Sequence, residues 1–361
     1  MRTLKSFLLL FLGSVLVGCS STPVQEELPI LVYPSPPEQP RYYFEHTLVS
    51  SAQVRIENKE SRLKRFVTGE IEGGEGLAKP FDVSACKGRI FVSDTVTRSI
   101  QTFDFPNGRF YEIGTQSPGE LAKPLGIDTD AQCNVYVADI TSNQILMYDQ
   151  EGRFLKVFGG QDMFDRVSDV ATDPQGKRLF ALDTGGVESE NHRIRVFDTE
   201  TGEHLYDIGS RGTGDGQLNL PKSIDMGPDR KLYVVDSANF RVVVFEENGD
   251  FSHSFGSLGR HMSQFARPKG IAVSGNGLIF VADASHGNFQ IFNEQGELLL
   301  FVGTRGTRAD RGKYLLPAGI DVDEDGRVYF VGQFFRKVDV FRPAEIATDE
   351  GYLGVWPKEK G

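Results

Sequence analysis

Short apolar runs recur along the chain in pairs, each pair broken by a polar turn. Residues 231–245 read K-L-Y-V-V-D-S-A-N-F-R-V-V-V-F, which predicts two strands joined by a turn that opens at Asp236. The same form returns at residues 89–103, 134–148, 278–292 and 327–341. A relative with a longer turn sets R-L-F-A-L-D at 178–183 against R-I-R-V-F at 193–197. Ahead of most copies stands a short strand introduced by proline: K-P-F-D-V from Lys79, K-P-L-G-I from Lys123, P-K-S-I-D from Pro221, P-K-G-I-A from Pro268 and P-A-G-I-D from Pro317. The third copy has V-S-D-V from Val167 and lacks the proline. Behind each of the first five comes a strand that closes on glycine, as in Y-E-I-G114, K-V-F-G159 and H-S-F-G256.

The unit is therefore four strands, written six times at intervals of about 43 to 54 residues, the spacing of propeller blades. The sixth copy has no fourth strand after Phe341. The stretch K-R-F-V-T-G at residues 64–69 has the form of the missing piece. The expected fold is all-β: a six-bladed β-propeller of four-stranded antiparallel blades, closed by an N-terminal strand in the last blade. Closure of this kind removes exposed sheet edges.

These repeats resemble the NHL repeat, with its P-x-G-I-x-V-D, I-Y-V-A-D, N-x-R-I-x-V-F and closing F-G segments. The resemblance covers about residues 63–341. It implies the propeller strongly and a function weakly, since relatives include binding scaffolds, sensor domains, a lyase and, more distantly, lactonases.

The N-terminus adds a location. Arg2 and Lys5 precede an apolar run over residues 6–17 that ends in L-V-G-C at Cys19, which resembles the lipobox of bacterial lipoproteins. That resemblance implies a signal peptide over residues 1–18, lipid on Cys19, and a place in the bacterial cell envelope facing the periplasm or the surface; Ser20 favours the outer membrane. Six prolines over residues 19–40 predict an extended tether. The propeller is expected over 41–343 and a tail over 344–361. With Cys19 lipidated, Cys86 and Cys133 remain, at neighbouring turns of blades one and two, and an oxidising periplasm favours a disulfide between them.

The formal charge of −11 on 361 residues argues against a nucleic-acid partner, which selects for clustered Lys and Arg. Asp94, Asp139, Asp183, Asp236 and Asp283 hold one place in five blades, so they are expected to build blades, bonding the turn that follows or an arginine such as Arg193 or Arg241. Functional residues are sought where the repeat breaks. Gly332 replaces the Asp in blade six and is followed by Phe334 and Phe335, an aromatic pair suited to a partner or to folding over the blade edge. Blade three carries an insertion beside His192. Asp82 and Asp169 stand where other blades have Gly126, Gly270 and Gly319, near the channel, where they could take a cation, bond a polar ligand or be solvated. Lys79, Lys123, Lys222 and Lys269 flank the same loops, either attracting an anion or balancing those acids.

Together these features lead to a non-enzymatic scaffold that needs no cofactor. It binds an envelope protein, peptide or polymer through Phe334, Phe335, Asp82, Asp169 and His192, and the membrane through its lipid anchor. The alternative is a lyase or lactonase-like enzyme with one divalent metal ion at the channel mouth. None of the six histidines falls on an inner strand, where the lyase-like relatives place their ligands.

Overall fold

The computed structural model describes residues 30–54, 74–160 and 162–354. Its four-stranded sheets follow chain order. Blade one is built from Pro80–Cys86, Arg89–Asp94, Ser99–Asp104 and Arg109–Ile113. Blades two to five repeat that order, with inner strands Pro124–Thr129, Val167–Thr172, Ile224–Met226 and Pro268–Val273. Blade six has Pro317–Val322, Val328–Gly332 and Lys337–Pro343.

Central strands carry nearly continuous apolar runs because both faces of each blade are covered. Successive side chains point to opposite faces, so Ile90 and Val92 pack toward blade six while Phe91 packs toward blade two. A separate apolar cluster fills each junction between neighbouring blades, the last joining blade six to blade one. That arrangement is a closed ring. A one-residue slip in any central strand would exchange the residues facing its two neighbours.

The expected closing strand is corrected. Residues 64–69 lie outside the described residues, and the outer place in blade six is filled by Tyr42–Leu48. It pairs antiparallel with Lys337–Pro343, setting Phe44 opposite Phe341 and Leu48 opposite Val338. Packing explains the choice: Tyr42, Phe44 and Leu48 are buried, and the Phe44 ring meets Phe341 edge-on at 5.6 Å. Glu45 adds an ion pair at 2.9 Å to Arg327, which is fully buried.

Two expected boundaries also shift. Within the stretch read as tether, Val32–Tyr33 pairs with Tyr42–Tyr43 as a fifth strand, and Leu31 and Tyr33 pack on the blade-five and blade-six core. Beyond residue 343 the chain stays on the ring: Leu353 is buried, and the Glu350 carbonyl accepts a hydrogen bond from Arg327. Cys19 lies outside the described residues. Cys86 and Cys133 are joined by a disulfide with Cα atoms 5.7 Å apart, tying blade one to blade two.

Candidate functional site at the channel mouth

Each blade Asp is a clamp. Asp94 accepts the backbone N–H groups of Ala78 and Lys79 on one oxygen, at 2.8 and 2.7 Å, and those of Val96 and Thr97 on the other. Asp139 repeats the arrangement with Ala122, Lys123, Thr141 and Ser142, and Asp283 with Ala266, Arg267, Ser285 and His286. Asp183 holds Arg166 at 2.9 Å, and Asp236 holds Asn219 together with the Arg241 guanidinium. All five are fully buried. Each therefore ties the loop arriving from the previous blade to the turn of its own blade. In blade six, where Gly332 stands, the amine of Lys337 takes over by donating to the Asp310 carbonyl at 3.0 Å and to Asp339 at 2.7 Å.

The loops so fixed carry a ring of cations around the channel opening. Lys79, Lys123, Arg166, Lys222 and Lys269 line one side of the mouth with Phe81 and Gln333. Lys222, Arg267 and Lys269 line an adjoining cavity of about 110 Å³, whose floor includes Asp82, Asp169 and Gly319. Burial, and the nearby charges of Lys269 and Arg166, push the Lys222 amine down to about 8. Burial and Arg267 lower Lys269 as well.

The two floor carboxylates are committed to the fold. Asp82 accepts the N–H of Ile127 in the next blade at 3.3 Å, and Asp169 accepts that of Ile224 at 2.9 Å. One layer deeper, Asp128 accepts from Thr172, Asp225 from Val273 and Asp321 from Ala85, the last across the ring closure. Inner strands are blade edges, so each leaves N–H groups facing its neighbour, and these carboxylates satisfy them. The glycines noticed in sequence make room for them: a Cβ on Gly319 would collide with Asp82, and one on Gly126 with Asp169. Burial and the Asp169 charge raise Asp82 well above the ordinary carboxyl range, and burial raises Asp169 to about 7.

Asp82 and Asp169, expected as ligands, line the cavity and each give an oxygen to the next blade. Their oxygens already accept backbone bonds, and among the described residues no group of three or more His, Cys, Asp or Glu is arranged to hold an ion. His192 is withdrawn from the surface. It is fully buried, its Nδ1 accepting the Leu220 N–H at 3.3 Å and its Nε2 donating to the Gly186 carbonyl at 3.0 Å. It shapes the blade-three insertion from within. Phe334 is 53% exposed and meets Phe335 edge-on at 5.2 Å, in a turn on the same face as the mouth. Arg166 and Arg267 complete the ring where the blade-entry lysine of the sequence pattern is replaced by arginine.

Fold and site together define a six-bladed β-propeller. Its fifth blade carries the signature: residues 265–292 match the NHL repeat. The brain tumor protein of Drosophila melanogaster is 25% identical over 144 residues, 39% of this chain, and the match spans 13% of that protein's length. Among solved structures, a gluconolactonase from Xanthomonas campestris superposes with a TM-score of 0.59 at 14% identity, covering 89% of this chain and 99% of its own. A virginiamycin B lyase from Staphylococcus aureus, a catalytically inactive form with quinupristin, gives 0.54 at 14% identity, covering 76% and 83%. These likenesses are of fold.

Proposed function

We propose that this propeller is a non-enzymatic binding scaffold of the bacterial envelope, anchored through lipid on Cys19 and presenting its loop face to a protein or peptide. The observation that supports it is the Phe334–Phe335 pair. A large ring 53% exposed at the tip of a rigid two-strand turn is costly in water and inexpensive to bury against a partner. Phe335, half-buried behind it, holds Phe334 in place, so little side-chain freedom would be lost on binding.

The test is affinity capture from envelope extract with the parent chain and with a Phe334→Ala/Phe335→Ala double variant. A partner recovered by the first and lost by the second supports the site; equal recovery of every partner defeats it. Anchoring is tested separately, by palmitate labelling that disappears in Cys19→Ser.

A further inference from the structure

We infer that the channel mouth is a binding site for a small ligand with two or more anionic groups, carboxylate or phosphate, gripped between Lys222 and Lys269. It uses residues other than the aromatic pair and does not rest on the scaffold reading.

The argument begins with an imbalance. Lys222 and Lys269 are half-buried, and each lines both the cavity and the wider mouth. Placing two amines together in a partly dry recess is unfavourable unless an opposite charge joins them. The charges acting on them are cationic: Arg166 and Lys269 on the first, Arg267 on the second. The acids that line the same cavity, Asp82 and Asp169, are poor counter-charges. They are engaged by backbone N–H groups, and burial favours their neutral forms.

The cations are also held in place. Lys222 is fixed by its own N–H, bonded to the Val235 carbonyl at 2.9 Å. The blade clamps Asp94, Asp139, Asp183 and Asp283 fix the backbones of Lys79, Lys123, Arg166 and Arg267. Convergent positive charge with low-dielectric walls focuses field at the opening, although the whole chain is acidic. The recess suits an anionic head rather than a polymer because the cavity measures only about 110 Å³. Phe81 and Leu316 offer it an apolar wall. An anion seated there would restore the Lys222 proton, so capture should weaken as pH rises through about 8.

The experiment is calorimetric titration of the whole chain with sodium pyrophosphate and, in a parallel arm, with sodium citrate, both at constant ionic strength. We expect one-to-one binding of at least one anion, and the arm that binds assigns phosphate or carboxylate chemistry. Affinity should fall about tenfold or more in Lys222→Gln/Lys269→Gln, persist in Lys222→Arg/Lys269→Arg, and be unaffected by Phe334→Ala. The Gln variant should unfold at the same temperature as the parent or higher without anion, since it removes repulsion. Absence of binding in both arms, or equal affinity in the Gln variant, overturns the inference.

Discussion

The carboxylate of Asp94 accepts the backbone N–H of Lys79 at 2.7 Å, linking a buried residue of the repeat to an exposed cation of the channel mouth. The same bond recurs between Asp139 and Lys123, Asp183 and Arg166, and Asp283 and Arg267. The residue that builds each of these blades also aims one member of the cationic ring. Site and scaffold are therefore coupled through the repeat itself.

That coupling predicts the effect of Asp94→Ala. Four backbone N–H groups lose a charged acceptor, and hydrogen bonds to charged groups contribute about 1.5–3 kcal/mol each before relaxation. Stability in urea should fall by at least about 3 kcal/mol, and Asp94→Asn should recover only part of it. A loss within about 0.5 kcal/mol, the range of an ordinary surface change, would rule out the clamp.

Much of this was legible in the chain. Six copies of one strand pattern state the blades, and repetition of Asp in five of them marked it as architectural. The closing strand was not legible, because Y-Y-F-E-H-T-L in Tyr42–Leu48 lacks the terminal glycine of the other outer strands, and its identity rests on contacts with Phe341 and Arg327 far along the chain. The inner carboxylates were legible only in part, for a related reason. A sequence shows Asp82 where other blades have glycine, but not that the glycine of one blade makes room for the carboxylate of another. His192 reads as a loop residue, and only the folded insertion shows it buried.

The closure makes its own prediction. Arg327 is fully buried between Glu45 of the closing strand, Asp325 and the Glu350 carbonyl. Arg327→Met leaves Glu45 with Arg342 at 3.3 Å as its remaining cation. Breaking a buried pair from one side costs about 3–5 kcal/mol. Glu45→Gln/Arg327→Met should recover part of that loss, and a double-mutant cycle in guanidinium reads the coupling. Additive losses would place the closure energy elsewhere, in the packing of Phe44 on Phe341.

The disulfide contributes through the unfolded chain. Cys86 and Cys133 are 47 residues apart, and cross-linking a loop of that size removes chain entropy equivalent to about 4 kcal/mol at 25 °C. Cys86→Ser/Cys133→Ser should lower the thermal midpoint by several degrees and leave anion binding intact, since the bridge lies on the face opposite the mouth. An unchanged midpoint would show that the apolar cluster at the junction of blades one and two suffices.

The channel also sets a pH dependence. Burial raises Asp169 and Asp321 to about 7 and Asp128 to about 6, and lifts Asp82 and Asp225 well above the ordinary carboxyl range. A carboxyl whose folded value lies above its unfolded value binds its proton more tightly when folded. Its contribution is complete below the unfolded value near 3.8 and is lost as pH rises through about 7. Asp104 and Asp207 act in the opposite sense. Burial opposes ionisation of both, but it is outweighed by several interactions acting together, from Arg109, Asn107 and Arg89 on Asp104 and from Arg195, His204 and Arg193 on Asp207, which hold them below the ordinary range. Their stabilisation is present at neutral pH and disappears only as pH drops below about 4. Between roughly pH 4.5 and 7.5 the channel groups should dominate, so the thermal midpoint should fall as pH increases across that window. Asp169→Asn retains an acceptor for the Ile224 N–H while removing the titration, and should flatten the slope. A midpoint that climbs steadily from pH 4.5 to 7.5 in both proteins would mean that the channel carboxyls are ionised without penalty. Water rather than the next blade would then be their partner.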